Sequence, residues 1–243
     1  MKMENLSFIL VCAGVFAGLV IIAALFEKYL CKDRKAFSNT HYISYTAIFA
    51  AMSGVLMIIE LPVIFAPFFY KLDFSEVPVM ICTFYLGPVA GVVCEFLKVL
   101  IKLLLKGTST AFVGDFANFA VGCAFVLPAS IIYHAKPGKK TAVTGMAVGT
   151  IIMTIFGTAF NAFYLIPKFV ELFHMPLEDI INIGHEVNGA IHSLNTLVFY
   201  AVAPLNLLKG ALITLITFLL YKRISPLLHK GDAKRVKKAA KNA

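Results

Sequence analysis

Long apolar runs broken by short polar clusters dominate the chain, without the two-residue alternation of a half-buried strand. A helix needs about 20 mainly apolar residues to cross the hydrocarbon layer of a bilayer. On that criterion the pattern predicts seven helices, over 6–26, 42–60, 76–87, 88–106, 112–134, 141–167 and 200–222. The third is short, and the break at Gly87-Pro88 separates it from the fourth. Missing alternation also disfavours a transmembrane β-barrel. The expected architecture is an all-α integral membrane protein with a six-helix membrane domain over 37–229. An N-terminal anchor and basic linker (1–36) precede it, and a basic tail (230–243) follows.

Composition sharpens this picture. Of 243 residues, 60% are hydrophobic and 14% charged, and the mean hydropathy is +0.85. A soluble domain is about 45–50% apolar and about 25% charged, so a soluble enzyme, a disordered chain and a secreted disulfide scaffold are excluded. The five cysteines form no CxxC pair, which leaves no basis for a metal site or a disulfide framework.

The net charge of +9 is concentrated. Segments 27–41, 134–140 and 222–243 hold 15 of the 22 lysines and arginines. The positive-inside rule makes all three cytoplasmic, which places the chain in the plasma membrane with its N-terminus outside and its C-terminus inside. Segment 168–199, with Glu171, Glu178, Asp179 and Glu186 against Lys168, then lies outside as a long loop. The tail reads as a solvated end that touches anionic membrane lipid rather than as a nucleic-acid site. The first helix carries its basic flank after the apolar run, the reverse of a secretory signal, so a retained anchor is expected.

Polar residues at membrane depth are costly and are the first functional candidates. Lys209 lies 13 residues from Lys222, about 20 Å above the inner boundary at a rise of about 1.5 Å per residue. Asn206 sits one turn further out on the same face, and Asn161, Asp115 and Asn118 fall in the same outer half. Loop 60–75, with its aromatic run Phe65 to Tyr70, lies over them. That layout fits an outward-facing pocket under a loop lid. Glu95, Lys98 and Lys102 share one helix face and read as internal ion pairs. Asp115 and Asn118 read as interhelical hydrogen bonds or caps. Lys209 has no acid near it on its own helix, which points to ligand contact. No GxSxG, HExxH or complete phosphate loop occurs, so the chain is expected to be no enzyme and to need no cofactor of its own.

Several spaced motifs carry a family resemblance. They are Leu72-Asp73-Phe74-Ser75-Glu76-Val77-Pro78, Leu86-Gly87-Pro88-Val89-Ala90-Gly91, Glu95-Phe96-Leu97-Lys98, and Phe116-Ala117-Asn118-Phe119 with Gly122. Asn161 with Pro167, and Pro204-Leu205-Asn206-Leu207-Leu208-Lys209-Gly210 leading to Tyr221-Lys222-Arg223, complete the set. Over 42–229 the chain resembles the substrate-binding S-components of energy-coupling factor (ECF) vitamin transporters, above all the riboflavin-specific ones. The resemblance implies a six-helix core that captures riboflavin from outside, with FMN as a second candidate ligand. Delivery inward would require a transmembrane T-subunit and two ABC-type ATPase subunits. It implies a site formed by Leu72, Asp73, Asn161, Asn206 and Lys209. Partner coupling would run through the AxxxA face at Ala47 and Ala51. The alternatives are an S-component for another vitamin or small precursor, and a membrane-embedded lipid-modifying enzyme.

Overall fold

The structure is a computed structural model that describes residues 3–30, 40–110 and 112–220, with side chains from residue 10 onward. The basic tail and residues 31–39 of the first basic segment lie outside the described residues. Eight helices follow in order: α1 (Met3–Leu30), α2 (Thr40–Ile58), α3 (Glu76–Leu86), α4 (Pro88–Lys106), α5 (Val113–Ala135), α6 (Lys139–Phe173), α7 (Leu177–Val187) and α8 (Leu194–Leu220). Of these, α1, α2, α5, α6 and α8 are long and apolar enough to cross a membrane. The helix α4 misses that description because of its charges, yet Glu95, Lys98 and Lys102 are all buried. Its polar face points into the bundle and its apolar face outward, as an internal ionic site in a membrane requires.

Local chemistry explains the breaks. Gly87 has φ 115°, a conformation only glycine adopts without strain, and Pro88 opens α4 where no N–H is needed. Two π-turns interrupt the long helices, Asn161–Leu165 within α6 and Val198–Val202 within α8. Each is followed by a proline, Pro167 or Pro204, whose ring clashes with the carbonyl four residues back. Those carbonyls belong to Phe163 and Tyr200, each at the centre of its π-turn, so the ladder widens there instead of breaking.

The core of α2–α5 is built from buried apolar side chains including Phe49, Met80, Phe84 and Phe125. A second cluster joins loop 59–75 to α7 and α8 through Tyr70, Leu72, Ile180, Ile191 and Leu197. The helix α1 docks on α4 and α5: Phe16 lies 4.3 Å from the Phe96 ring, and Ala23 is buried.

Three expectations change. The first helix runs on to Leu30 and includes Glu27, which is buried and accepts a 3.0 Å hydrogen bond from the Val89 N–H, capping the start of α4. Segment 168–199 is not a loop; it holds the end of α6, the amphipathic α7 and the start of α8. Leu61 and Leu72 also pair in a short antiparallel ladder that brings the two ends of the expected lid together.

Candidate functional site

A cavity of about 520 Å³ opens at the end of the bundle where α2 ends and α5 begins. Its wall takes residues from loop 59–75, α4, α5, α6, α7 and α8, and it lies within the size range of small-molecule sites, about 300–1,000 Å³.

The floor is ionic. Lys98 lies 2.6 Å from Glu95 and 3.2 Å from Glu76. Lys209 lies 2.9 Å from Glu76 and 3.1 Å from Asp73. One network thus ties α3, α4, α8 and the loop together. Gly122 allows it to fit, because a Cβ there would stand 2.6 Å from the Glu95 carboxylate. Asp73 also accepts hydrogen bonds from the Ser75 backbone N–H at 2.9 Å and from the Ser75 hydroxyl, which fixes the loop at the start of α3. A second pair, Lys102–Asp115 at 2.5 Å, joins α4 to α5, and Thr108 donates to Asp115 at 2.6 Å.

The walls are amides and aromatics. Asn161 donates to the Gly157 carbonyl at 2.7 Å and accepts from the Tyr70 hydroxyl at 2.8 Å. Burial pushes the Tyr70 phenol up, so it stays a donor. Asn206 approaches the Gly157 backbone so closely that a Cβ there would meet its Nδ2 at 2.7 Å. Asn206 makes no hydrogen bond among the described residues, and its amide faces the cavity. At the mouth Glu60 holds Lys71 at 2.6 Å and Lys106 at 2.8 Å, fastening the loop to the end of α4. Partial burial pushes the Glu60 carboxyl up, but hydrogen bonds from Lys106 and Lys71 outweigh it, so the group lies below the ordinary carboxylate value.

Of the residues expected in a site, Asp73, Asn161, Asn206 and Lys209 line this cavity. Leu72 is buried beside them in the cluster under the loop, outside the cavity wall itself. Ala47 and Ala51 are exposed on α2, away from the site. One inference is corrected: Lys209 does not need a ligand to balance its charge, because Asp73 and Glu76 supply the partners from other elements. The expected Glu95–Lys98 pair is present, whereas Lys102 pairs with Asp115 across helices. Tyr70 and Glu76 are cavity residues that the sequence reading did not single out. Glu76 sits within a quoted motif, and only its contacts with two lysines, Lys98 and Lys209, visible in three dimensions, reveal its part.

Chemically, the cavity offers carboxamides that donate and accept, an ammonium at its edge, and aromatic rings at its lid. Its lining lysines, Lys71, Lys102 and Lys209, are each paired with a carboxylate. That environment suits a neutral, flat, polar molecule. Removing one partner of a buried ion pair costs about 3–5 kcal/mol, because the other charge is stranded. Lys98→Met should therefore strongly lower the thermal unfolding midpoint in detergent, and Glu95→Gln added to it should recover part of the loss. An unchanged midpoint in the single variant would show that the network is not what holds α3, α4 and α8 together.

Comparison with known proteins places this geometry. The family model for the ECF transporter, substrate-specific component, matches residues 41–221. The riboflavin transporter RibU of Staphylococcus aureus (strain TCH60) is 35% identical over 184 residues, 76% of this chain and 90% of that protein. The riboflavin transporter FmnP of Bacillus subtilis (strain 168) is 28% identical over 182 residues, 74% of this chain and 90% of that protein. A solved S component of a bacterial ECF transporter superimposes with a TM-score of 0.62 at 32% identity, covering 77% of this chain and 97% of that one. With its cavity set in that shared fold, the chain belongs to the substrate-specific components of ECF transporters, a family of transporter subunits and not of enzymes.

Proposed function

We propose that this chain captures riboflavin from the extracellular side for an ATP-driven ECF importer. The observation that carries the reading is the meeting of Asn161, Asn206 and Lys209 on one cavity wall under the Tyr70 lid. Riboflavin presents a flat ring with a carbonyl–NH–carbonyl edge. Carboxamides can donate and accept along that edge, an ammonium can donate to a carbonyl, and Tyr70 with Phe69 can cover the ring. Leu72 and Asp73 belong to the site as the loop residues beneath the lid. The names of the relatives support the same ligand. Pairing of every lining lysine with a carboxylate favours the neutral flavin over FMN, whose phosphate would compete for charges already engaged.

In this reading α2, α3, α4, α5, α6 and α8 form the six-helix core. The helix α1 is an added anchor outside the binding unit, and α7 caps the outer end. The distribution of lysine and arginine supports an orientation with the N-terminus outside, the C-terminus in the cytosol and the cavity facing out of the cell. A T-subunit carrying two ATPases completes the importer. The exposed face of α2 at Ala47 and Ala51 is where a partner helix can approach closely.

Two outcomes test the two halves of the proposal. Asn206→Ala removes a polar contact to the ring edge worth about 1–3 kcal/mol, or roughly 5- to 150-fold in riboflavin affinity, measured by flavin fluorescence quenching. Unchanged affinity would remove Asn206 from the site. Ala47→Trp or Ala51→Trp should hold a partner helix away, keep riboflavin affinity and lose most ATP-dependent uptake together with co-purification of the other subunits. Loss of binding with intact assembly would instead make this face part of the core.

A further inference from the structure

Between α7 and α8 the chain makes a tight turn that sets two histidines side by side, away from the cavity. His185 lies in the last turn of α7, and His192 lies two residues before α8. They are seven residues apart in the chain, so no single helix face presents both, as an i, i+4 pair would be. The fold brings them together instead. Gly184 permits it, because a Cβ there would stand 2.9 Å from the Leu197 side chain and 3.1 Å from that of Ile191. A larger residue would push α7 off the start of α8. As it is, the two imidazole centroids lie 4.8 Å apart with their planes tilted by 46°.

Hydrogen bonds fix both residues. His185 Nδ1 lies 2.9 Å from the Ile191 carbonyl oxygen. A carbonyl only accepts, so Nδ1 carries the proton, and neutral His185 presents Nε2 with a free lone pair. A backbone carbonyl on the second nitrogen is the usual support of a metal-bound histidine. Ile191 itself is buried, and the His192 backbone N–H donates to the Thr196 hydroxyl at 2.9 Å, beside the capping box of α8. Both histidines are exposed to solvent.

The spacing matches two ligands of one ion. Two imidazole nitrogens bound at about 2.0–2.1 Å, at about 90–110° to each other, put their ring centroids about 4.5–5.2 Å apart. The observed 4.8 Å falls within that span. The local charge also favours a cation: Lys168 is taken up by Glu171, which leaves Glu178, Asp179 and Glu186 around the turn. Among the described residues no third histidine, cysteine or carboxylate completes a larger metal group, so the other coordination positions fall to solvent.

We propose that His185 and His192 form a two-imidazole site for a divalent late transition-metal ion, Cu²⁺ above all, which ties the end of α7 to the start of α8. Imidazole selects Cu²⁺, Ni²⁺ and Zn²⁺ over Mg²⁺ and Ca²⁺, and Cu²⁺ binds tightest at a given nitrogen site. Ile180, Ile191 and Leu197 belong to the apolar cluster under loop 59–75, so the ion clamps the platform on which the lid rests. The site stands independently of the flavin reading.

The test titrates the purified full chain, prepared without a histidine tag, with CuCl₂ and separately with MgCl₂. Wild type should take up one Cu²⁺ per chain by calorimetry, with two ring nitrogens on the copper by electron paramagnetic resonance, and should give no binding heat with Mg²⁺. His192→Ala leaves the His185–Ile191 hydrogen bond in place. It should weaken Cu²⁺ binding at least about tenfold and leave one nitrogen on the copper, and His192→Gln and His185→Ala should do the same. Because both rings are exposed, the metal-free variants should melt with wild type. Copper binding that is equal in wild type and all three variants would mark an adventitious ion held elsewhere and overturn the assignment. Half an ion per chain with dimers in solution, or no copper uptake by wild type, would overturn it as well.

Discussion

Burying charge inside a membrane protein is the constraint around which this molecule is arranged. Glu76, Glu95 and Lys98 are almost inaccessible, and Asp73 and Lys209 are buried beside them. Each would be prohibitive alone in such surroundings. They are tolerated because they meet: Lys98 sits between Glu76 and Glu95, and Lys209 between Glu76 and Asp73. The cost of leaving any member unpaired forces the short α3, the charged face of α4, the centre of α8 and the loop before α3 into one relative position. The polar floor of the cavity follows from that requirement.

The walls and lid build on this floor. Asp73 belongs to the loop as well as to the network, so the loop is held from beneath, while Tyr70 holds it from the side through Asn161. Proline-induced π-turns in α6 and α8 set Asn161 at the first residue of one and bring Asn206 just beyond the other. Gly157 then lets Asn206 approach α6 without a clash. The result is a preorganised polar wall whose rigidity comes from charge pairing and whose reach into the cavity comes from the widened helix turns.

Much of this was legible in the sequence because a bilayer makes depth a one-dimensional coordinate. Distance along each helix was enough to gather Asn161, Asn206 and Lys209 at one level and to set the aromatic loop over them. What depth cannot give is pairing between distant segments. Lys209 looked unsatisfied because its partner Asp73 stands 136 residues away in the chain. Lys102 was grouped with its helix neighbours although Asp115 of α5 holds it. The π-turns lie in continuous apolar runs and leave no mark in hydropathy. The helix α7 was missed for a related reason: it is short, fully buries only Ile180 and Gly184, and carries Glu178, Asp179 and Glu186 among its apolar residues, so the acidic segment read as an outer loop. Glu27 was counted with the polar flank of α1, whereas its carboxylate turns inward to cap α4. Ala47 and Ala51 are exposed on α2.

The central claim is that this cavity is a riboflavin site of the isolated chain, requiring neither ATP nor partner subunits. The most direct measurement is the visible absorption spectrum of the protein purified alone from cells grown with riboflavin, followed by riboflavin titration of the ligand-stripped protein. The account predicts a flavin absorption band in amounts matching the protein, and full quenching of added riboflavin until the sites are filled. A colourless, folded protein that leaves riboflavin fluorescence untouched would contradict it.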